Sequence, residues 1–185
     1  MINQKKILRE LFIKKKNFTE TEVIHRSDRI CNHLAQTLLF QEAVCIALYC
    51  SIENEVNTYA LMNEYRLKKN IILPVVSQQN MSFYPFTGKE NLTKGAFGIM
   101  EPISRDIVPP ESIDLFIVPG VAFDFDYNRL GRGKGYYDRF LSDIDKPVIG
   151  LCFDYQLIAS IPHEAHDKKM TLIIAENTIV SPRHQ

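Results

Sequence analysis

Five short apolar runs constrain the fold of this chain more than any other feature: 43–50 (AVCIALYC), 71–76 (IILPVV), 113–118 (IDLFIV), 147–151 (PVIGL) and 171–175 (TLIIA). Runs this short and this continuous suit strands covered on both faces, as in a parallel sheet. A further segment, 82–86, alternates and is aromatic, which predicts another strand. Helical patterns fall between the strands. Ile7, Leu8, Leu11 and Phe12 predict an amphipathic helix over about 3–16, with Lys5, Lys6, Arg9 and Lys14 to Lys16 on its other face. Thr19 and Glu22 have capping-box spacing and start a second helix, whose apolar face carries Ile24, Ile30, Leu34 and Leu38. Segment 58–69 reads as a third helix and 136–141 as a fourth. Strands alternating with helices predict an α/β fold, a three-layer α/β/α sandwich on a mainly parallel sheet. The 185 residues suit a single domain, 1–185, and the polar segment 87–112 reads as a long functional loop within it.

Charge and cysteine usage narrow the function. Lys plus Arg and Asp plus Glu each number 22, so the chain lacks the basic excess of a nucleic-acid binder. Cys31, Cys45, Cys50 and Cys152 form no CxxC pair and fit no zinc spacing. Three of them sit among apolar residues and read as buried, reduced thiols. The first ten residues carry Lys5, Lys6, Arg9 and Glu10 where a signal peptide needs an apolar core. No apolar run approaches the ~18 residues of a membrane span. The expectation is a cytoplasmic protein with no membrane or nucleic-acid partner.

One segment carries chemistry: VPGVAFDFDYNRLGRGKGYYDRF, residues 118–140. Gly131, Gly133 and Gly135 alternate with Arg132 and Lys134, and Arg129 precedes them. Glycines permit positive φ and close backbone approach to an anion. Arg and Lys supply fixed positive charge for phosphate. The start of the following helix would add unpaired N–H groups. Asp138 could hold magnesium, which pairs one or two carboxylates with substrate phosphates. Tyr136 and Tyr137 offer flat faces and hydroxyls. The segment is neither a Walker A loop nor the G-x-G-x-x-G dinucleotide fingerprint. A solvated turn is the alternative, but a turn has no use for three cations, so the residues favour a phosphate site.

The stretch PGVAFDFDYNRLGRGKGYYDR resembles the signature of the 5-formyltetrahydrofolate cyclo-ligases, also called 5,10-methenyltetrahydrofolate synthetases. The likeness extends to the basic KKILR of Lys5 to Arg9, to Glu55-Val56-Asn57-Thr58, to Gly98 with Glu101-Pro102, to Ile161-Pro162 and to His166-Asp167. It implies a fold related to the ribose-5-phosphate isomerase and CoA-transferase group. It implies an ATP- and magnesium-dependent conversion of 5-formyltetrahydrofolate to 5,10-methenyltetrahydrofolate, with release of ADP and phosphate. Separately, the protein is expected to be a monomer. By the same resemblance, Lys5, Lys6, Arg9, Arg129, Gly131, Arg132, Gly133, Lys134, Gly135, Tyr136 and Tyr137 match ATP-binding positions. Cys50, Glu55 and Arg132 to Tyr136 match the folate side. Arg132, Lys134 and Tyr136 are the expected catalytic groups, and Asp138 the expected magnesium ligand. The family's second, acidic metal position falls on Thr171, so nearby Asp167 is expected to substitute or water to complete the shell.

Overall fold

The structure is a computed structural model and describes residues 2–14, 18–78, 80–95, 98–104, 106–164 and 167–182. Its centre is a seven-stranded sheet in the order β12-β11-β9-β6-β1-β2-β3. The strands are β1 (Cys45–Ala47), β2 (Asn70–Ser77), β3 (Asn80–Pro85), β6 (Leu115–Pro119), β9 (Val148–Leu151), β11 (Leu172–Ile174) and β12 (Ile179–Val180). Strands β2, β1, β6, β9 and β11 run parallel, and the two edge strands, β3 and β12, are antiparallel to their neighbours. The sheet is thus mainly parallel, as the apolar runs predict.

Side chains alternate across the sheet and build a core on each face. Ile46, Ile71, Leu73, Leu115, Ile117, Ile149, Leu151 and Ile174 point to one face. There they meet Ile30, Cys31 and Leu34 of helix α2 (Glu20–Ala35), Phe40 of α3 (Leu38–Glu42), and Leu61 and Met62 of α4 (Tyr59–Tyr65). Ala47, Ile72, Phe116, Val118, Val148 and Ile173 point to the other face, against Leu141 of α5 (Tyr136–Leu141) and against Phe123. Each fully buried side chain of this size contributes about 1.5–3 kcal/mol of transfer free energy. Thr19 caps α2 in a complete capping box with Glu22. Helix α1 (Ile2–Ile13) sets Leu8 and Phe12 against Val121, Ala122, Leu130 and Ile161, while Ile7 and Leu11 of the predicted apolar face stay exposed. Lys15, Lys16 and His166 lie outside the described residues.

Three short strands form a second sheet, β10-β7-β8, from β7 (Ala122–Asp124), β8 (Arg129–Leu130) and β10 (Leu157–Ile158). The 87–112 segment is more structured than a long loop: β4 (Leu92–Lys94) and β5 (Met100–Pro102) pair as an antiparallel ribbon. Among the described residues no helix is long and apolar enough to cross a membrane.

Candidate active site

Strand β1 hydrogen-bonds to both β2 and β6. The chain leaves β1 through α4 toward β2 on one side, and leaves β6 through α5 toward β9 on the other. The carboxyl ends of β1 and β6 therefore flank a topological switch point, where open α/β sheets bind ligands. A cavity of about 440 Å³ lies there, lined by Tyr49 and Cys50 after β1, Pro119 and Gly120 after β6, and the glycine loop. That volume is in the range of small-molecule sites.

The loop reaches the cavity because β7 and β8 form a tight hairpin. Asp124, fully buried, accepts hydrogen bonds from the Asp126 and Asn128 amides at 3.0 and 2.9 Å and from Asn128 Nδ2 at 3.0 Å. The chain returns through Arg129 into the loop. Gly133 and Gly135 adopt φ of +94° and +69°, which an L side chain takes up only with strain. Gly131 has no such φ; its carbonyl accepts from Arg9 Nε at 2.8 Å. Helix α5 is only six residues long, so the dipole expected of the following helix adds little.

The cations have distinct environments. The Arg129 side chain is 5% exposed; it pairs with Asp138, donates to the Pro119 carbonyl at 3.1 Å and lies 5.3 Å over the Tyr137 ring. Arg132 donates through Nε to Glu55 Oε1 at 3.1 Å and through Nη2 to the Glu53 carbonyl at 3.2 Å. Glu55 Oε2 accepts from the Ile52 amide at 3.2 Å. Burial pushes the Glu55 carboxyl up, and the Arg132 charge is the largest influence in the other direction. Lys134 lines the cavity, and its carbonyl accepts from Arg139 at 3.1 Å. Tyr136 donates its hydroxyl to the Gln78 carbonyl at 2.9 Å, which joins the glycine loop to the β2–β3 hairpin. Tyr137 is pushed up by burial and then by Glu55.

The far wall is apolar and includes Pro74, Val76, Met81 and Ile99, with Ile13 from the end of α1. Cys50 lies in the wall, hydrogen-bonded to Tyr59, with its thiol pushed up to about 11 by burial. That is the opposite of an activated nucleophile. Phe83 and Phe86 pack in the two cores rather than in the cavity.

Of the expected site residues, the cavity gathers Cys50, Glu55, Arg129, Gly131, Arg132, Lys134, Gly135, Tyr136, Tyr137 and Asp138. Arg9 joins them through the Gly131 carbonyl, and Gly133 sits beside it, since a Cβ there would lie 3.4 Å from the Arg9 guanidinium. Lys5 points instead to Asp167, at 2.9 Å, and Lys6 is exposed. Asp167 also accepts from the Glu164 amide at 2.9 Å and is not part of the cavity lining. Thr171 precedes β11 at its amino end, where its hydroxyl accepts from the Val148 amide at 3.0 Å. It is at the opposite end of the sheet from Asp138 and cannot share a metal with it. Among the described residues no group of three or more His, Cys, Asp or Glu side chains is placed to hold a metal ion. Asp138, which shares the cavity wall with Glu55 and Glu101 and pairs with Arg129, could supply one carboxylate to magnesium carried in by phosphate oxygens.

Two positions that organise the site escape sequence reading. Buried Gln156 donates to the Gly120 and Val121 carbonyls at 3.1 and 3.2 Å and accepts the Phe153 amide at 2.8 Å. Gln78 contributes only a backbone carbonyl. No local pattern marks either one. Asp124 stands in the legible segment, but its role as the hairpin's internal acceptor is visible only in three dimensions.

A cation-lined glycine loop faces a buried carboxylate at the switch point of a mainly parallel sheet, an α/β arrangement whose loop charges suit an anionic ligand. The family model described as the 5-formyltetrahydrofolate cyclo-ligase family matches residues 1–176, and the chain belongs to that family. It is 30% identical to a probable 5-formyltetrahydrofolate cyclo-ligase of Schizosaccharomyces pombe, over 84% of this chain and 86% of that protein. It is 30% identical to the 5-formyltetrahydrofolate cyclo-ligase of Escherichia coli K12, over 72% of this chain and 79% of that one. The NMR structure of Aquifex aeolicus 5,10-methenyltetrahydrofolate synthetase superposes with a TM-score of 0.87 at 35% identity, covering 98% of this chain and 94% of the other. A 5,10-methenyltetrahydrofolate synthetase from Mycoplasma pneumoniae superposes at 0.76 with 27% identity, covering 94% and 99%.

Proposed function

We propose that this protein converts 5-formyltetrahydrofolate to 5,10-methenyltetrahydrofolate at the cost of one ATP. The observation that carries the reading is the single cavity in which Arg129, Arg132 and Lys134 of the glycine loop face Glu55 and an apolar wall. The cations suit a triphosphate, and the wall with its one buried carboxylate suits a flat heterocycle bearing hydrogen-bond donors.

In the reaction, the formyl oxygen attacks the γ-phosphorus of ATP and ADP leaves. N10 then attacks the activated carbon, the carbon–oxygen bond breaks, inorganic phosphate leaves with that oxygen, and N10 loses its proton. Phosphoryl transfer depends mainly on positioning and charge neutralisation. Lys134 and Arg132, at the loop crest, would take the charge that develops on the transferring group. Arg9 and Arg129 hold the loop in shape, one through the Gly131 carbonyl and one through Asp138. Glu55 would accept hydrogen bonds from the pterin, and the Tyr136–Gln78 contact would close the cavity against water. Magnesium, bound with the triphosphate, would neutralise phosphoryl charge, with Asp138 as its protein carboxylate.

The sheet with cores on both faces supports the three-layer sandwich, and the kinship with the ribose-5-phosphate isomerase and CoA-transferase group is proposed on the family resemblance alone. The expected setting is cytoplasmic, where four reduced, buried thiols are stable.

The test is direct. Purified protein is mixed with 5-formyltetrahydrofolate, magnesium and ATP, and the near-ultraviolet absorbance of the methenyl product is followed. An ATP-dependent rise is expected. A flat trace from folded protein, beside an active control enzyme, would overturn the reading.

A further inference from the structure

Three consecutive residues, Glu53, Asn54 and Glu55, bind the turn after β1 to the rest of the site. The Glu53 carbonyl accepts from Arg132 of the glycine loop at 3.2 Å. Asn54 donates through Nδ2 to the Ile13 carbonyl at 3.3 Å. That carbonyl lies in the last turn of α1, where carbonyls have no partner within the helix. The Glu55 carboxylate meets Arg132 on one oxygen and the Ile52 amide on the other. From below, Gln156 Nε2, which holds the Gly120 and Val121 carbonyls, lies 3.5 Å from the Asn54 carbonyl. Ile13, Ile52, Glu55 and Arg132 line the cavity, and Asn54 stands behind them, outside the lining.

The backbone explains why an asparagine stands here. The Glu55 amide donates to the Ile52 carbonyl at 3.1 Å and closes a four-residue turn. Asn54 is the third residue of that turn, and its φ is +68°. Positive φ at the third position is what a type II turn demands; Gly and Asn meet it, and most other side chains meet it only with strain. The same turn folds the Glu55 carboxylate back over the Ile52 amide, so the hand of the turn sets the direction of Glu55.

We infer that Asn54 is a positioning residue for Glu55: its left-handed backbone aims the carboxylate into the cavity, and its side chain fastens the turn to α1. The inference rests on the proposed reading that Glu55 receives the pterin. An alanine here favours a right-handed backbone, which turns Glu55 away from Arg132 in a fraction of the molecules. Apparent affinity for the heterocycle falls with the fraction that stays competent. The glycine loop is held separately, by Arg9 at the Gly131 carbonyl and by Arg129 at Asp138, so the nucleotide side is spared.

The experiment titrates the full chain, Asn54→Ala and Asn54→Gly calorimetrically with 5-formyltetrahydrofolate and, separately, with magnesium ATP. Asn54→Ala should weaken 5-formyltetrahydrofolate about fivefold or more and change ATP affinity by less than about twofold. Asn54→Gly keeps the backbone and should recover most of that loss. In a Glu55→Ala background the Asn54→Ala penalty should disappear, because it acts through that carboxylate. Unchanged folate affinity in Asn54→Ala, equal weakening of both ligands, a glycine no better than alanine, or a penalty that survives without Glu55 would each overturn the inference. A wild type that binds no 5-formyltetrahydrofolate would overturn the functional reading and the inference with it. Asn54 is half-buried and belongs to neither core, so the variants should fold.

Discussion

Arg132 and Glu55, 77 positions apart in sequence, meet at 3.1 Å on the cavity wall. The loop cation and the buried carboxylate are therefore one electrostatic unit. Any ligand that takes up Arg132 changes the charge seen by Glu55, which gives phosphate and heterocycle a direct means of influencing each other.

The raised Glu55 carboxyl predicts a pH signature. A carboxyl raised in the folded state favours folding below its ordinary value of 4.5 and loses that advantage as pH rises through the raised value. Glu55→Gln lacks the titration. The stability of wild type minus that of Glu55→Gln should fall as pH goes from about 4 to about 7. Thermal denaturation of both proteins across that range checks it; a flat or rising difference would refute it.

If Lys134 meets charge in the transition state as proposed, Lys134→Ala should lower turnover by about a hundredfold or more, with any fall in melting temperature too small to account for the loss. Steady-state kinetics beside calorimetry checks both halves. Near-wild-type turnover would remove Lys134 from the chemistry.

Arg129 is buried and makes three contacts, so Arg129→Ala should cost about 1–3 kcal/mol of stability as well as nucleotide affinity. Arg129→Lys keeps the charge but not the fork, and should recover only part of the loss. Chemical denaturation with a binding titration separates the two effects.

At Gly135 the left-handed backbone starts α5, so Gly135→Ala should cost roughly 1 kcal/mol through φ alone. The added Cβ also lies 2.6 Å from the Arg139 guanidinium, so that side chain must move off the Lys134 carbonyl. Weaker ATP binding is expected alongside the loss in stability.

All four thiols are buried, with Cys50 at about 11 and Cys31 at about 12. Near pH 8 only about one Cys50 in a thousand is thiolate. Native protein should therefore resist iodoacetamide for hours, and all four cysteines should react once the chain is unfolded. Rapid loss of one thiol in the native state would show that the cavity wall opens.

Much of this was legible from residue pattern. The parallel strands announced themselves as continuous apolar runs, and α5 matches the predicted 136–141. The run at 43–50 shrinks to a three-residue strand because residues beyond Leu48 leave the ladder to line the cavity. Helix α3 is five residues held by its Thr37 cap, too short for a periodic signal. The small sheet escaped for the same reason, with strands of two or three residues whose pairing depends on long-range contacts such as Leu157 with Phe123. At the site, glycines and cations were readable because their chemistry is in their side chains. Gln156 and the Gln78 carbonyl were not, because their contribution comes from position alone.

The bond from Lys5 to Asp167 spans 162 positions, and the one from Arg9 to Gly131 spans 122. Helix α1 is therefore synthesised well before these docking partners, which lie 162 and 122 positions later in the chain. A growing chain can assemble the β1–β2 half of the sheet early, while the basic helix waits with its apolar residues uncovered. Such long-range closure is slow by its topology. Catalytic competence should therefore arrive in one step once Asp167 has been made, and nascent chains that stop short of it should remain inactive however well their sheet has formed.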